Sequence, residues 1–331
     1  MNGYHFLQLD NAHRRIYNTL YEGVQQYKTT FDFGTETFAD INLAYAALVK
    51  DNPQFFWLSG DSQCTVTKTN GRQTSLEYRA TLYPGIHPGD IREMQTRLER
   101  MVRVLELMAG KLSDDFLKAL FIHNAIVKET EYVSTAPNRY NAFGCLVEGK
   151  AVCAGYAAAY QLVLNRLGIV CMVVDGYDRA KGPSGAHSWN LVQLGSDYYY
   201  IDVTWDDPTV RGSKEGTLTH HYFGLTEEEL LCTHVIDGGQ NLPKARGTRY
   251  NYYQYYGMYL PRYSFEAVSE IAARQLQKKD AFSVKFATPQ ETRRAEHDLL
   301  DNNRVFRIPG MSGSCSYGVS KSGLVLTVTK K

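Results

Sequence analysis

The chain has 331 residues, 44% of them hydrophobic and 21% charged, a length that buries a sizeable core without a metal or disulfide staple and that accommodates two domains or three small ones. With 36 basic and 35 acidic side chains the net charge is +1, so no global field holds a polyanion or coats an anionic membrane, and nucleic acid is not an expected partner. No window supplies the ~20 consecutive apolar residues of a membrane span, so a soluble protein with no membrane partner is expected.

In chain order, Ala12, Ile16, Leu20 and Val24 recur at helical spacing, and Phe38, Ile41, Ala44, Tyr45 and Leu48 repeat the pattern before Asn52-Pro53 stops it. Residues 10–52 therefore read as helices. Ser62 to Lys68 and Thr74 to Tyr83 alternate instead, and Thr69-Asn70-Gly71 between them is a hairpin turn signal. The helical period returns through Met94, Leu98, Met101, Val102, Leu105 and Met108 and ends at Gly110; Ser113-Asp114 opens the next helix, Phe116 to about Thr130. A helix rich in small residues follows from Val152 to Leu167, with Gly168 as its C-cap. Ile169 to Asp175 is a continuous apolar run, as in a buried strand, and Ala186 to Leu194 and Tyr198 to Trp205 are strand-like segments joined through Gly195-Ser196. Glu227 to Glu229 reads as a solvated helix start. The last residues form a small module: a helix from Phe265 to Lys279, a strand from Phe282 to Phe286, a helix from Gln290 to Leu300 opened by Thr288-Pro289, and a terminal hairpin, Cys315 to Val319 with Leu324 to Lys330, turning at Lys321 to Gly323. Three parts are expected: 1–110, helical with one hairpin; 111–262, the core; and 263–331, a small α+β module.

Tyr occurs 24 times, against 14 Phe and 3 Trp, with a dense tract from Tyr250 to Tyr259. Tyrosine offers buried area with a polar tip, which suits a peptide groove as well as packing between modules. The six cysteines, Cys64, Cys145, Cys153, Cys171, Cys232 and Cys315, form no CxxC pair, so no disulfide framework or compact zinc finger is expected. The start, MNGYHFLQLDNAHRR, has no apolar leader segment. As written the chain is expected in the cytoplasm with its thiols reduced, or secreted if a leader has been removed.

Three segments carry chemistry when read together: GKAVCAGY around Cys153, AHSWN around His187 and YIDVTW around Asp202. A cysteine attacks as thiolate, and a free thiol's pKa of ~8.5 must fall for use at neutral pH. Cys153 sits where the helix pattern begins, where unpaired N–H groups and the positive end of the helix dipole favour a negative sulfur and can also donate to an oxyanion. The base is best an imidazole held in one tautomer by a third group. If Gly195-Ser196 is a two-residue loop, Trp189 faces Asp202 and His187 faces Thr204. His187 and Asp202 then share a sheet face as diagonal neighbours roughly 7 Å apart at the backbone.

The order Cys, His, Asp at these short spacings, with the wording GKAVCAGYA, HSWN and YYYIDVTWDDP, resembles the bacterial transglutaminase-like superfamily from Ser113 to Pro208; DNPQFFWL (Asp51 to Leu58) is also similar to what precedes that core. The resemblance implies an α+β, papain-like core in which a helix packs on an antiparallel sheet, with Cys153 as nucleophile, His187 as base and Asp202 as the acid that orients it. Members include crosslinkers, proteases, deamidases, peptide N-glycanases and some that have lost activity, so substrate does not carry over. The calcium sites of the animal crosslinkers and the paired zinc cysteines of the N-glycanases have no counterpart here, and no cofactor or metal is expected.

Rival readings stay open beside these. Cys145 is the other candidate nucleophile, and Cys171 reads as inert core. Asp206-Asp207-Pro208 reads as a turn ending the strand, with a supporting role behind the acid or a calcium site as the alternative. Trp189 and Trp205 read equally as groove walls or core packing, and Tyr140 and Asn141 as a second oxyanion donor or a loop hydrogen bond. His220, His221, Cys232 and His234 have no zinc-finger spacing. The expected function is cysteine-dependent acyl transfer on peptide or protein amide bonds through a thioester, leaning to peptidase-like hydrolysis. The alternatives are crosslinking, deamidation, or a binding scaffold on the same fold. The oligomeric state is not legible.

Overall fold

In the computed structural model, which describes residues 3–207 and 218–331, the chain divides into two units: 3–175, 187–195, 202–207 and 218 form one, and 176–186, 196–201 and 219–331 the other. Pro208 of the DDP wording lies outside the described residues. The first unit opens with α1 (Tyr4–Gln8), α2 (Asn11–Gln25), β1 (Thr30–Phe33) and α3 (Phe38–Asp51). The Asp10 carboxylate accepts the Ala12 and His13 N–H groups and so caps α2. The strand β1 interrupts the region read as helical. Its residues alternate exposed and buried, and it pairs antiparallel with β3 through Phe31↔Tyr78 and Phe33↔Leu76. The hairpin of β2 (Leu58–Thr69) and β3 (Arg72–Leu82) turns on Asn70 and Gly71, both at positive φ (52° and 78°), the primed turn that an Asn-Gly pair favours. The strand order in this sheet is β1-β3-β2.

Next come α4 (Ile91–Ala109), α5 (Asp115–Glu129), β4 (Glu131–Tyr132), α6 (Ala142–Leu146), β5 (Lys150–Ala151) and α7 (Cys153–Arg166). Asp114 caps α5 by accepting the Leu117 N–H at 2.8 Å. The strands β4 and β5 pair parallel over two residues, Glu131↔Lys150 and Tyr132↔Ala151. They bring the end of α5 beside the start of α7. Gly168, at φ 82°, closes α7 in the left-handed conformation that a helix C-terminus favours. Tyr156, Tyr160, Val163 and Leu164 of α7 are fully buried, and the Tyr160 hydroxyl donates to the Ala119 carbonyl of α5 at 3.0 Å. The strand β6 (Cys171–Asp178) begins in this unit beside β7 (Ala186–Leu194). The buried Asn190 amide donates to Ala157 O at 3.0 Å and ties β7 to α7.

The second unit holds β8 (Asp197–Ile201), β9 (Phe223–Leu225), α8 (Glu227–Leu231), β10 (His234–Ile236) and α9 (Tyr252–Tyr255). Within it β8 pairs antiparallel with β9, and the last residues of β6 pair antiparallel with β10. The strand read as running to Trp205 stops at Ile201, because residues 202–207 fold back on themselves as turns. Thr226 and Glu229 form a capping box on α8. Glu229 is not a purely solvated residue, since it also meets the buried Lys285 ammonium at 2.6 Å. The tail comprises β11 (Tyr259–Leu260), α10 (Phe265–Leu276), β12 (Ala281–Phe286), α11 (Pro289–Glu296), β13 (Cys315–Val319) and β14 (Val325–Lys330), with strand order β11-β12-β14-β13. It has its own core, in which Val268, Ala272, Phe282, Phe286, Leu299 and Val328 are buried. The fold is α+β, and among the described residues no helix is long and apolar enough to cross a membrane.

Candidate active site

Cys153 is the first residue of α7. Its N-cap, Val152, offers no side-chain oxygen to the first turn. The helix start is pressed close to the preceding loop: Val152 N donates to Arg139 O at 2.9 Å, and a Cβ on Gly155 would run into that same carbonyl. This explains the small residues of the GKAVCAGY wording. The Cys153 thiol is half-buried, whereas Cys145 and Cys171 are buried. Burial pushes the Cys145 thiol up to about 12, and its sulfur lies 3.4 Å from Thr130 Oγ1. Burial likewise raises Cys171 well above an ordinary thiol. Neither offers a thiolate near neutral pH.

His187 is the second residue of β7, 8% exposed, and Asp202 follows β8 by one residue and is fully buried. The two-residue connection Gly195-Ser196, with Gly195 at φ 62°, separates their strands. His187 Nε2 lies 2.7 Å from Asp202 Oδ2, a buried charge-assisted hydrogen bond. The same ring is hydrogen-bonded to the Cys153 side chain. With Nε2 committed to Asp202, Nδ1 serves the sulfur. Burial pulls the imidazolium down, but the Asp202 carboxylate and Cys153 outweigh it and raise the ring to about 10. The imidazole neighbours two indoles, Trp205 stacked at 5.3 Å between ring centres and Trp189 tilted at 5.7 Å. Trp189 is fully buried and Trp205 half-buried.

Asp202 divides its oxygens. Oδ2 faces His187, and Oδ1 accepts the Trp205 N–H at 3.1 Å. Asp206 and Asp207 are both fully buried within the turn that follows. Asp206 Oδ2 lies 3.3 Å from His123 Nε2, and Asp207 Oδ2 accepts the Tyr156 hydroxyl at 2.7 Å. The sequence reading of a turn holds for these residues, while their side-chain partners on α5 and α7 have no signature in local spacing.

Asn141 Oδ1 caps α6 by accepting the Gly144 N–H at 3.0 Å, and the exposed Tyr140 ring lies under the Arg139 guanidinium at 4.4 Å. Tyr132 of β4 reaches Cys153, its phenol oxygen accepting the Cys153 backbone N–H. It is 36% exposed, and burial raises its pKa, so it stays a phenol. Only the pairing of β4 with β5 places it there, and a two-residue strand leaves no periodic signal. His220 stacks on Tyr252 at 3.9 Å, Cys232 is exposed with its thiol on Glu228 O, and His234 is buried in β10.

The sequence profile of the transglutaminase-like superfamily matches residues 103–204. The human protein named kyphoscoliosis peptidase is 31% identical over 93 residues, which cover 26% of this chain and 13% of that protein. The crystal structure of a TGase is similar with a TM-score of 0.34 and 16% identity, covering 60% of this chain and 58% of that one. The periplasmic domain of TgpA from Pseudomonas aeruginosa is similar with a TM-score of 0.27 and 18% identity, covering 40% and 55%. The chain thus spans about an eighth of the length of its human relative and less than two thirds of either solved structure.

Proposed function

We propose, on the premise that residues 103–204 are a transglutaminase-like core, that the protein is a cysteine-dependent acyl transferase acting on amide bonds of peptides or proteins. The observation that carries the reading is one imidazole holding two partners: His187 bonds Asp202 at 2.7 Å and also bonds the side chain of Cys153 at the start of α7. With the ring raised to about 10 it is an imidazolium at neutral pH, the partner a thiolate needs.

In this mechanism the Cys153 thiolate attacks the substrate carbonyl carbon. The Tyr132 hydroxyl, whose oxygen accepts the Cys153 N–H at the helix start, donates its proton to the oxyanion. The His187 imidazolium gives its proton to the leaving amine as the C–N bond breaks, leaving a thioester on Cys153 and a neutral imidazole. That imidazole takes a proton from water, whose oxygen adds to the thioester and releases the acid and the thiolate, restoring the starting ion pair. Asp202 holds the ring in place throughout. Hydrolysis is favoured because water is always at hand, and the peptidase name of the human relative, over the short span it shares, supports the same direction. An amine in place of water would give crosslinking, and ammonia as leaving group deamidation.

The three-part division, 1–110, 111–262 and 263–331, belongs to this proposal, with the tail as an appended module. The test is to incubate wild type and Cys153→Ala with a peptide library and a labelled primary amine and to read products by mass spectrometry. Cleavage that depends on Cys153 is expected. Amine incorporation would make the protein a crosslinker and a one-dalton gain a deamidase. No product that depends on Cys153 would favour a binding scaffold.

A further inference from the structure

The triad explains Asp202 but not why two more carboxylates follow within five residues, both fully buried. Burying a carboxylate is costly unless it is bonded, so each such group marks a position that the fold needs filled. The segment from Asp202 to Asp207 is a closed frame: Asp202 Oδ1 accepts the Trp205 N–H, Asp202 O accepts the Asp206 N–H at 3.3 Å, and Thr204 O accepts the Asp207 N–H at 3.2 Å. A frame joined by three internal bonds moves as one piece. Its far end is hydrogen-bonded from α7 and approached from α5. His123 of α5, fully buried, brings Nε2 to 3.3 Å from Asp206, and the Tyr156 hydroxyl of α7 donates to Asp207 at 2.7 Å, with Thr130 O also 3.0 Å away. Tyr156 comes three residues after Cys153, on the turn of helix that presents the sulfur, and Thr130 comes two residues before Tyr132.

We propose that Tyr156 and His123 are positioning residues, a clamp that fixes the Asp202–Asp207 frame to the helix bearing the nucleophile and so sets how closely Asp202 meets His187. The inference rests on the acyl-transfer reading and deepens it. A phenol suits this place because burial and the neighbouring carboxylate keep it protonated, a permanent donor. An error of about 1 Å in such a frame is enough to weaken a bond of 2.7 Å substantially.

The test compares Tyr156→Phe and His123→Gln with Tyr160→Phe, which removes a hydroxyl of the same kind, buried on the same helix and bonded at 3.0 Å to Ala119 O. Two readouts are taken: the melting temperature, and the rate of Cys153 alkylation by iodoacetamide from pH 5 to 10, followed by peptide mass spectrometry. Tyr156→Phe, which takes the donor from the buried Asp207 carboxylate, should lose more thermal stability than Tyr160→Phe. Only Tyr156→Phe and His123→Gln should slow alkylation at pH 6, by about tenfold, and displace the profile to higher pH, because a loosened Asp202 supports the imidazolium less. A Tyr156→Phe profile that overlays that of Tyr160→Phe, with an activated thiol in the wild type, overturns the clamp and leaves the acyl-transfer reading standing. An ordinary thiol profile in the wild type overturns both. Should Tyr156→Phe fail to fold, His123→Gln carries the same comparison from α5.

Discussion

Replacing Asp202 by Asn keeps the shape of the side chain and removes its charge. In the intact protein burial depresses the His187 imidazolium while Asp202 and Cys153 raise it to about 10. At pH 7 such a ring is ~99.9% protonated. Without the carboxylate, burial is opposed by the sulfur alone, and a ring returned to its ordinary value of 6.5 or below is charged in no more than about a quarter of molecules. The Asn amide also offers an N–H to Nε2, which favours the wrong tautomer for a base. The two effects together should lower kcat/KM by ~10²–10⁴, or about 3–5 kcal/mol of barrier. Alkylation of Cys153 by iodoacetamide reads the first effect without any substrate. Asp202→Asn should react at least ~30-fold more slowly than wild type at pH 6, with the gap closing as pH rises. Coincident profiles within twofold, from variants of equal melting temperature, would falsify the role given to Asp202.

Tyr132→Phe removes the hydroxyl beside the Cys153 N–H and should lower kcat by about 10–100-fold with little change in KM; a rise in KM alone would make Tyr132 a substrate contact rather than an oxyanion donor. The folded state raises His187, so its contribution to stability is whole below the ordinary value near 6.5 and drains away as pH rises through about 10. Urea midpoints at pH 7 and pH 10.5 should therefore fall further for wild type than for His187→Gln, and equal falls would count against the raised ring. In the tail, Lys285 is 1% exposed and pairs with Glu229 at 2.6 Å. Glu229→Gln leaves a buried ammonium without its countercharge and should cost ~3–5 kcal/mol by denaturant unfolding, more than Lys285→Met, and the reverse order would refute the pairing argument.

Much of this molecule is legible locally. Asn70-Gly71 specifies its turn because both residues accept positive φ, and Asp114 specifies the start of α5 because its carboxylate caps the first turn. The apolar stripe of α7 and the bounds of β7 follow from period and from Gly195-Ser196. The strands that went unread are short and non-local. Of the four residues of β1 only Phe31 and Phe33 are buried, and they pair with residues more than forty positions away. The same limit hid Tyr132, whose position beside Cys153 depends on a two-residue parallel pairing. The strand reading through Trp205 fails for the opposite reason: Ile201, Val203 and Trp205 alternate with Asp202 and Thr204 as in a strand, but side-chain and backbone bonds within the Asp202–Asp207 frame favour turns. Cysteine, histidine and aspartate are recognisable by their wording, whereas His123 and Tyr156, which meet Asp206 and Asp207, come from helices whose sequence periodicity shows only that they are buried.

The central claim is that Cys153 carries the substrate's acyl group midway through the reaction, and the most direct measurement is the mass of the protein quenched in acid during turnover of a cleaved peptide. An added acyl mass is expected on the peptide containing Cys153, released by hydroxylamine as a thioester is, and absent from Cys153→Ala. Turnover that proceeds with no adduct in the wild type and continues in Cys153→Ala would contradict it.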